Sequence, residues 1–186
     1  MKLVPTTIPD VHVIEPDVFA DERGWFMESF NEARWRAAFA ESGLAAPPAF
    51  VQDNHSCSRR GVLRGLHFQR PPYAQGKLVR VVQGAAFDVA VDIRAGSPNF
   101  GRWVGTELNA TNRRQMWIPE GFAHGFLTLA DETHFLYKTT NYYDRASEGA
   151  ILWSDPDLAI TWPGDHASFL LNAKDALAPP LRAAVV

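Results

Sequence analysis

Histidine, tyrosine, lysine and carboxylate side chains are the chemically active residues of this chain, because the signatures of other chemistries are absent. Its 186 residues hold no Gly-x-Ser-x-Gly elbow, no Gly-x-Gly-x-x-Gly loop and no Walker loop. The single cysteine, Cys57, lies between Ser56 and Ser58 with no signature around it. A metal reading would look for His-x-His followed by a nearby carboxylate. His67 is followed instead by Phe68 and Gln69, and no acidic residue occurs between Asp53 and Asp88, so a ligand set would have to come from remote segments. Proton transfer by general acids and bases is the chemistry that remains.

Two histidines have contexts that suit such work. In Arg64-Gly65-Leu66-His67-Phe68-Gln69, period-two alternation predicts Arg64, Leu66 and Phe68 on one face of a strand and Gly65, His67 and Gln69 on the other. An imidazole titrates near neutrality and suits a base, yet a histidine among apolar neighbours also serves as a packed, hydrogen-bonded residue, and the spacing leaves both roles open. His124 follows Pro119-Glu120-Gly121-Phe122-Ala123, a rigid loop leading into a strand, where functional residues concentrate. Tyr137, Tyr142 and Tyr143 supply phenols that can protonate a carbanion or stack beneath a base, or fill a barrel core with a wet tip. Between Asp53 and Asp88 every charge is positive: Arg59, Arg60, Arg64, Arg70, Lys77 and Arg80. Arginine grips phosphate oxygens through two parallel hydrogen bonds, so the stretch as a group reads as a site for an anionic ligand. Any single one of these arginines can equally be a solvated strand-edge residue.

The elements that must position these groups are mostly strands. One helix is predicted over Asn31 to Ser42: Asn31 caps it, Glu32 suits the positive end of its dipole, Trp35, Ala38 and Phe39 recur at helical spacing, and Gly43 ends it. Phe87 to Ile93 alternates, with Phe87, Val89, Val91 and Ile93 on one face and Asp88, Ala90 and Asp92 on the other, the pattern of a half-buried strand. Further strands are predicted at Val11 to Ile14, Trp25 to Ser29, Ala49 to Cys57, Val62 to Gln69, Leu78 to Gln83, Trp103 to Leu108, Met116 to Ile118, Gly125 to Leu129 and Thr133 to Thr140. Turn signals such as Gln83-Gly84 and Ala95-Gly96-Ser97-Pro98 separate them. Strands at this spacing predict an all-β sandwich or jelly-roll barrel, in one domain over residues 1–186. The Pro-broken tail from Asn172 is expected to pack across the barrel.

A chain with 46% hydrophobic and 21% charged residues folds as an ordinary globule around its own core, which excludes disorder and collagen. A net charge of -3 argues against a general nucleic-acid binder. No apolar run approaches the ~18 residues needed to span a bilayer, and MKLVPTTIPD lacks the apolar stretch of a secretory signal. With one unpaired cysteine, the expectation is a soluble cytoplasmic protein with no membrane partner.

Motifs spread along the chain carry a resemblance. They run from Asp21-Glu22-Arg23-Gly24-Trp25-Phe26-Met27-Glu28 through Gln52-Asp53-Asn54-His55-Ser56 to Gly61-Val62-Leu63-Arg64-Gly65-Leu66-His67-Phe68-Gln69. They resume at Gln75 to Arg80, Asp88 to Arg94, Pro119 to Phe126, Tyr137 and Lys174-Asp175. In this order they resemble the dTDP-4-dehydrorhamnose 3,5-epimerase family. The resemblance implies a cupin-like jelly-roll barrel with a few short peripheral helices, acting on a dTDP-linked 4-keto sugar without a metal or other cofactor. It assigns His67 as base, Asp175 as the partner that fixes its tautomer, Tyr137 as the acid across the ring and Lys77 as the cation facing the enolate oxygen. It puts Arg23 and Arg64 near the diphosphate, Phe26 against thymine, and Glu28, Gln52, Asn54, His124, Glu148 and Lys174 around the nucleotide and sugar. It also implies a homodimer that exchanges the N-terminal region, so that Arg23 and Glu28 can serve the neighbour's site. A related enzyme acting at C3 or C5 alone would share every one of these groups. A non-catalytic nucleotide-sugar binder would keep the arginines and aromatics without a use for His67, Asp175 and Tyr137 together, and a metal-dependent barrel is disfavoured by ligand spacing.

Overall fold

A computed structural model describes residues 1–186. In chain order the elements are β1 (Lys2–Pro5), β2 (His12–Glu15), β3 (Phe19–Asp21), β4 (Gly24–Phe26), α1 (Glu32–Glu41), β5 (Gln52–Ser58), β6 (Leu63–Gln69), β7 (Lys77–Gln83), β8 (Ala85–Asp92), β9 (Trp103–Asn109), β10 (Gln115–Ile118), β11 (Phe122–Thr128), β12 (Thr133–Thr139), β13 (Glu148–Ala150) and α2 (Ala173–Ala176). A six-stranded sheet, β1-β2-β10-β7-β12-β5, faces a five-stranded sheet, β13-β6-β11-β8-β9, and β3 and β4 form a hairpin of their own. This is the all-β, cupin-like jelly-roll architecture expected. No helix is long and apolar enough to cross a membrane.

Three apolar clusters explain the layering. Between the sheets, Val79 and Val81 of β7, Met116 and Ile118 of β10 and Phe135 of β12 meet Ala86 and Ala90 of β8, Val104 and Leu108 of β9, and Phe122 and Phe126 of β11. Phe126 and Phe135 stack at its centre with ring centroids 4.0 Å apart. On the far side of the six-stranded sheet, α1 lays Trp35 and Phe39 on Ile14, Leu78 and Trp117. Burying each of these large rings stabilises the dock by about 2 kcal/mol. The helix starts where expected, with the Asn31 side chain accepting the Arg34 amide at 3.2 Å, and Ser42 closes it before Gly43 at φ +71°. On the far side of the five-stranded sheet, Leu63, Leu66, Phe68, Val89, Val91 and Leu127 are covered by Ile151, Leu158, Ile160, Trp162 and Leu181. The tail thus packs across the barrel as expected, and it also contains α2 and a short 3-10 turn at Leu181–Ala183.

Two expectations about faces are corrected by this layering. The strand read as half-buried over Phe87 to Ile93 is covered on both sides: its apolar face meets the C-terminal segment, and Asp88, Ala90 and Asp92 point into the barrel, fully buried. Alternation alone reads a polar row as a solvent row, and it cannot register a covering segment supplied from far along the chain. Arg64 and His67 were predicted on opposite faces, but both point inward. Across the ladder, His124 and Phe126 oppose His67 and Arg64, two positions against three, so β6 carries one extra residue and its parity flips. Three strands escaped the pattern altogether: β1, β3 and β13 are only three or four residues long.

The bulge rests on glycine. Gly65 stands at φ +137°, and a Cβ there would lie 2.5 Å from the Cα of Gly125 on β11. Gly65→Ala is therefore expected to lower stability by about 3 kcal/mol or more, read as a fall in the urea midpoint. An unchanged midpoint would mean that the two strands have room to part.

Candidate active site

His67 projects from the bulged strand into the barrel mouth, where it meets a residue 108 positions later in the chain. Its Nε2 lies 2.7 Å from Oδ1 of Asp175, whose side chain is wholly buried. The approach of Asp175 has local causes. Asn172 caps α2 by accepting the Asp175 amide at 2.7 Å, and the following segment is clasped by Asp155, which accepts the Leu181 amide at 2.5 Å. The other oxygen of Asp175 accepts the Gly65 amide at 3.2 Å and Nδ2 of Asn172 at 3.4 Å. Burial pushes the Asp175 carboxyl up, but the His67 hydrogen bond and charge, the Gly65 amide and the nearby Lys174 outweigh it and hold it below the ordinary carboxylate range. An ionised carboxylate only accepts, so Nε2 of His67 carries the hydrogen. Nδ1 is left with its lone pair free as the basic atom.

A pocket of about 130 Å³ opens beside this imidazole, lined by His67, Lys77, Tyr137 and Glu148, by the amides of Gln52, Asn54, Gln69 and Gln75, and by Phe68 and Tyr143. The β12–β5 register explains part of the wall, since Tyr137 pairs with Asn54 and Thr139 with Gln52. Lys77 is buried, with Nζ 3.5 Å from the His67 carbonyl oxygen, which accepts from it. Desolvation lowers its pKa from 10.5 to about 8, with Asp88 and Glu148 opposing the fall. Burial raises the Tyr137 phenol above its ordinary value, against the pull of Arg64, so it stays protonated and able to donate at neutral pH. At the rim, burial works to raise the Glu148 carboxyl, but the 2.6 Å ion pair with Lys174 and the hydroxyl of Tyr143, donating at 3.2 Å, prevail and keep it ionised.

Of the thirteen residues named from sequence, six line this pocket: His67, Lys77, Tyr137, Gln52, Asn54 and Glu148. Asp175 stands behind His67, and Lys174 is tied to Glu148. Arg64 lies deeper in the barrel, donating to the Ser58 hydroxyl at 3.2 and 3.1 Å. His124 is buried outside the lining, with Nε2 2.7 Å from Oδ1 of Asp88. Arg23 and Phe26 sit on the exposed β3–β4 hairpin, where Arg23 pairs with Asp21 at 2.6 Å, and Glu28 pairs with Arg34 at 2.8 Å. These three do not reach the pocket within one chain.

The basic stretch is not one anion site within the chain. Strand geometry disperses it: Lys77 and Arg64 point inward, Arg59 and Arg60 are exposed at a turn, Arg70 donates to the carbonyls of Ala146 and Val185, and Arg80 alternates to the outer face of β7. Sequence reading also passed over Asp88, Gln69 and Gln75. The signal for Asp88 was present, an acid inside the apolar run Ala85-Ala86-Phe87 and Val89-Ala90-Val91, but alternation assigned it to solvent.

Proton transfer at carbon, with an imidazole on one wall, a phenol on another and an ammonium between, is what this pocket is equipped for. That puts the protein among the acid–base isomerases built on cupin-like jelly rolls. A model of the family described as dTDP-4-dehydrorhamnose 3,5-epimerase matches residues 5–183. Among relatives, the dTDP-4-dehydrorhamnose 3,5-epimerase of Shigella flexneri is 57% identical over 94% of this chain and 93% of its own length. The enzyme of the same description from Salmonella typhimurium is 55% identical over 100% and 98%. The crystal structure of dTDP-6-deoxy-D-glucose-3,5-epimerase from Legionella pneumophila, in complex with dTDP-4-keto-L-rhamnose, superposes with a TM-score of 0.90 at 49% identity, covering 98% of this chain and 93% of that one. The chain belongs to the dTDP-4-dehydrorhamnose 3,5-epimerase family.

The burial of Lys77 has a measurable consequence. Between about 8 and 10.5 the unfolded chain binds a proton that the folded chain does not, so stability rises with pH across that window. Below it, the folded protein carries a cost of about 3 kcal/mol for burying the charge. Lys77→Met is expected to raise the urea midpoint at pH 7 relative to wild type, and the gain should shrink by pH 10. An equal gain at both pH values would show that the methionine improves packing and removes no charge cost.

Proposed function

We propose that this chain is a dTDP-4-dehydrorhamnose 3,5-epimerase, converting dTDP-4-dehydro-6-deoxy-D-glucose to dTDP-4-dehydro-L-rhamnose. The observation that carries the reading is the His67–Asp175 pair opening onto the same pocket as Tyr137 and Lys77. In a 4-keto sugar, C3 and C5 both adjoin the carbonyl, so their hydrogens are the acidic ones. Nδ1 of His67 removes one of them, and the electron pair moves onto the carbonyl oxygen to give an enolate. Asp175 steadies the imidazolium that forms. Lys77 meets the enolate oxygen, a charge that develops only along the reaction and is therefore the most effective one to counter. Tyr137 returns a proton to the opposite face of the carbon, inverting it. Solvent then takes the proton from the imidazolium and reprotonates the phenolate, so the same two groups can act on the second carbon in turn.

The nucleotide end of the substrate extends past this pocket, and the exposed β3–β4 hairpin supports a homodimer in which each copy lends that segment to the other. Phe19, Trp25 and Phe26 are all more than half exposed on it, a density of solvent-facing aromatic surface that a partner would cover. In that arrangement Arg23 and Phe26 face the diphosphate and the thymine of the neighbour's substrate with Glu28 beside them, while Arg64 approaches the diphosphate and Lys174 the sugar from the chain that holds the pocket, with His124 buried beneath. A nucleotide-activated substrate and one unpaired cysteine fit a cytoplasmic enzyme.

With dTDP-4-dehydro-6-deoxy-D-glucose in deuterium oxide, the enzyme is expected to place label at both C3 and C5, read by mass spectrometry and NMR. Label at one carbon alone would make it a single-site epimerase, and none would make it a binder. His67→Ala should slow exchange by about 10² or more while still binding dTDP; retained exchange would sink the base assignment. For the dimer, Arg23→Ala and His67→Ala chains, each inactive, should regain about one quarter of wild-type activity when refolded together, because half of the dimers are mixed and each mixed dimer has one intact site. No recovery would place Arg23 in its own chain's site, and an active Arg23→Ala chain would place it outside any site.

A further inference from the structure

Beneath the pocket floor lies a second imidazole–carboxylate pair. His124 on β11 is the cross-strand neighbour of His67 on β6, so the two imidazoles stand side by side, each bound through Nε2 to a wholly buried carboxylate at 2.7 Å. The two pairs differ in one respect. Both oxygens of Asp175 have partners, whereas Oδ2 of Asp88 is buried with none. A buried carboxylate oxygen with no protein partner is costly unless a nearby positive charge offsets it.

The cation it can act on is Lys77. That ammonium shares the pocket wall with His67 of β6, Tyr137 of β12 and Glu148 of β13, while behind His67 the charge of Asp88 on β8 reaches it and its own charge reaches His124 on β11; Arg64 of β6 also points inward but is tied to Ser58, and β5 and β10 turn only amides, hydroxyls and apolar groups inward. Among these groups Asp88 and Glu148 carry negative charge toward it, and Glu148 is already committed to Lys174. Resting on the epimerase reading above, we propose that Asp88 is a positioning residue of the reaction. It holds His124 as the neutral Nε2–H tautomer, and its free oxygen keeps the Lys77 ammonium charged inside the barrel, where the enolate oxygen needs it. A second cation on His124 would repel Lys77 and His67 both. Consistent with that, burial keeps His124 below its ordinary value, against Asp88, so it is uncharged at neutral pH.

Asp88→Asn tests the charge without removing the acceptor, since the amide oxygen still takes the His124 hydrogen. If Asp88 sustains the ammonium, the alkaline limb of kcat moves down by about one pH unit and kcat at pH 8 falls about fivefold, with KM and the thermal midpoint little changed. An alkaline limb superimposable on wild type would overturn the proposal. Because the variant can also fail to fold, wild-type protein supplies an independent reading through ¹⁵N NMR of its histidine rings. His124 should show a protonated Nε2 and a bare Nδ1 across neutral pH, and an imidazolium or the opposite tautomer would overturn the proposal whatever the enzyme's activity. Failure of the epimerase reading itself would appear separately, as absence of deuterium exchange in a protein with the expected tautomer.

Discussion

A carboxylate in a protein interior stays ionised only if donors surround it, and the Asp175 site is built to that requirement. Nε2 of His67, the Gly65 amide and Nδ2 of Asn172 all converge on its two oxygens. Each donor is held by a different piece of the fold: the bulged strand β6, the close Gly65–Gly125 contact, and the cap of α2. Because the carboxylate is charged, the imidazole tautomer is determined, and because the tautomer is determined, the basic nitrogen faces the pocket. Remove any one of these supports and the direction in which His67 can accept a proton is no longer specified.

The rest of the barrel sets this polar assembly at the edge of an apolar one. The inner cluster around Phe126 and Phe135 fills one end of the space between the sheets, while the residues at the other end of the same strands are Lys77, His67, Tyr137 and Glu148. A single strand can therefore serve both ends: β7 carries Val79 and Val81 into the core and Lys77 into the pocket. The ammonium and phenol then sit in a medium of low dielectric, which strengthens their action on a developing charge and explains why their protonation equilibria are displaced from their ordinary values.

How much of this was legible beforehand depended on whether a feature was local. Helix α1 could be read from Asn31, Trp35 and Phe39 because cap and apolar face lie within twelve residues, and the alternating runs gave most strands to within a few positions. His67, Lys77, Tyr137, Gln52 and Asn54 were reached through motifs, and strand parity then brings them to one pocket. What could not be read was anything that depends on a remote partner. The extra residue at Gly65 reverses the parity of Arg64 relative to His67, and only the register against β11 reveals it. Asp88 looks like a solvent residue unless the opposite sheet is known, and β13, of sequence Glu-Gly-Ala, has no strand pattern of its own and exists because β6 has a free edge.

One consequence of the long separation between His67 and Asp175 concerns the order in which the enzyme comes into being. During synthesis every strand of both sheets has been made before α2 appears, so the barrel can close while its imidazole still lacks a carboxylate. The tautomer of His67 is therefore set by a four-residue helix outside both sheets, so the barrel and its catalytic pair rest on separate parts of the chain.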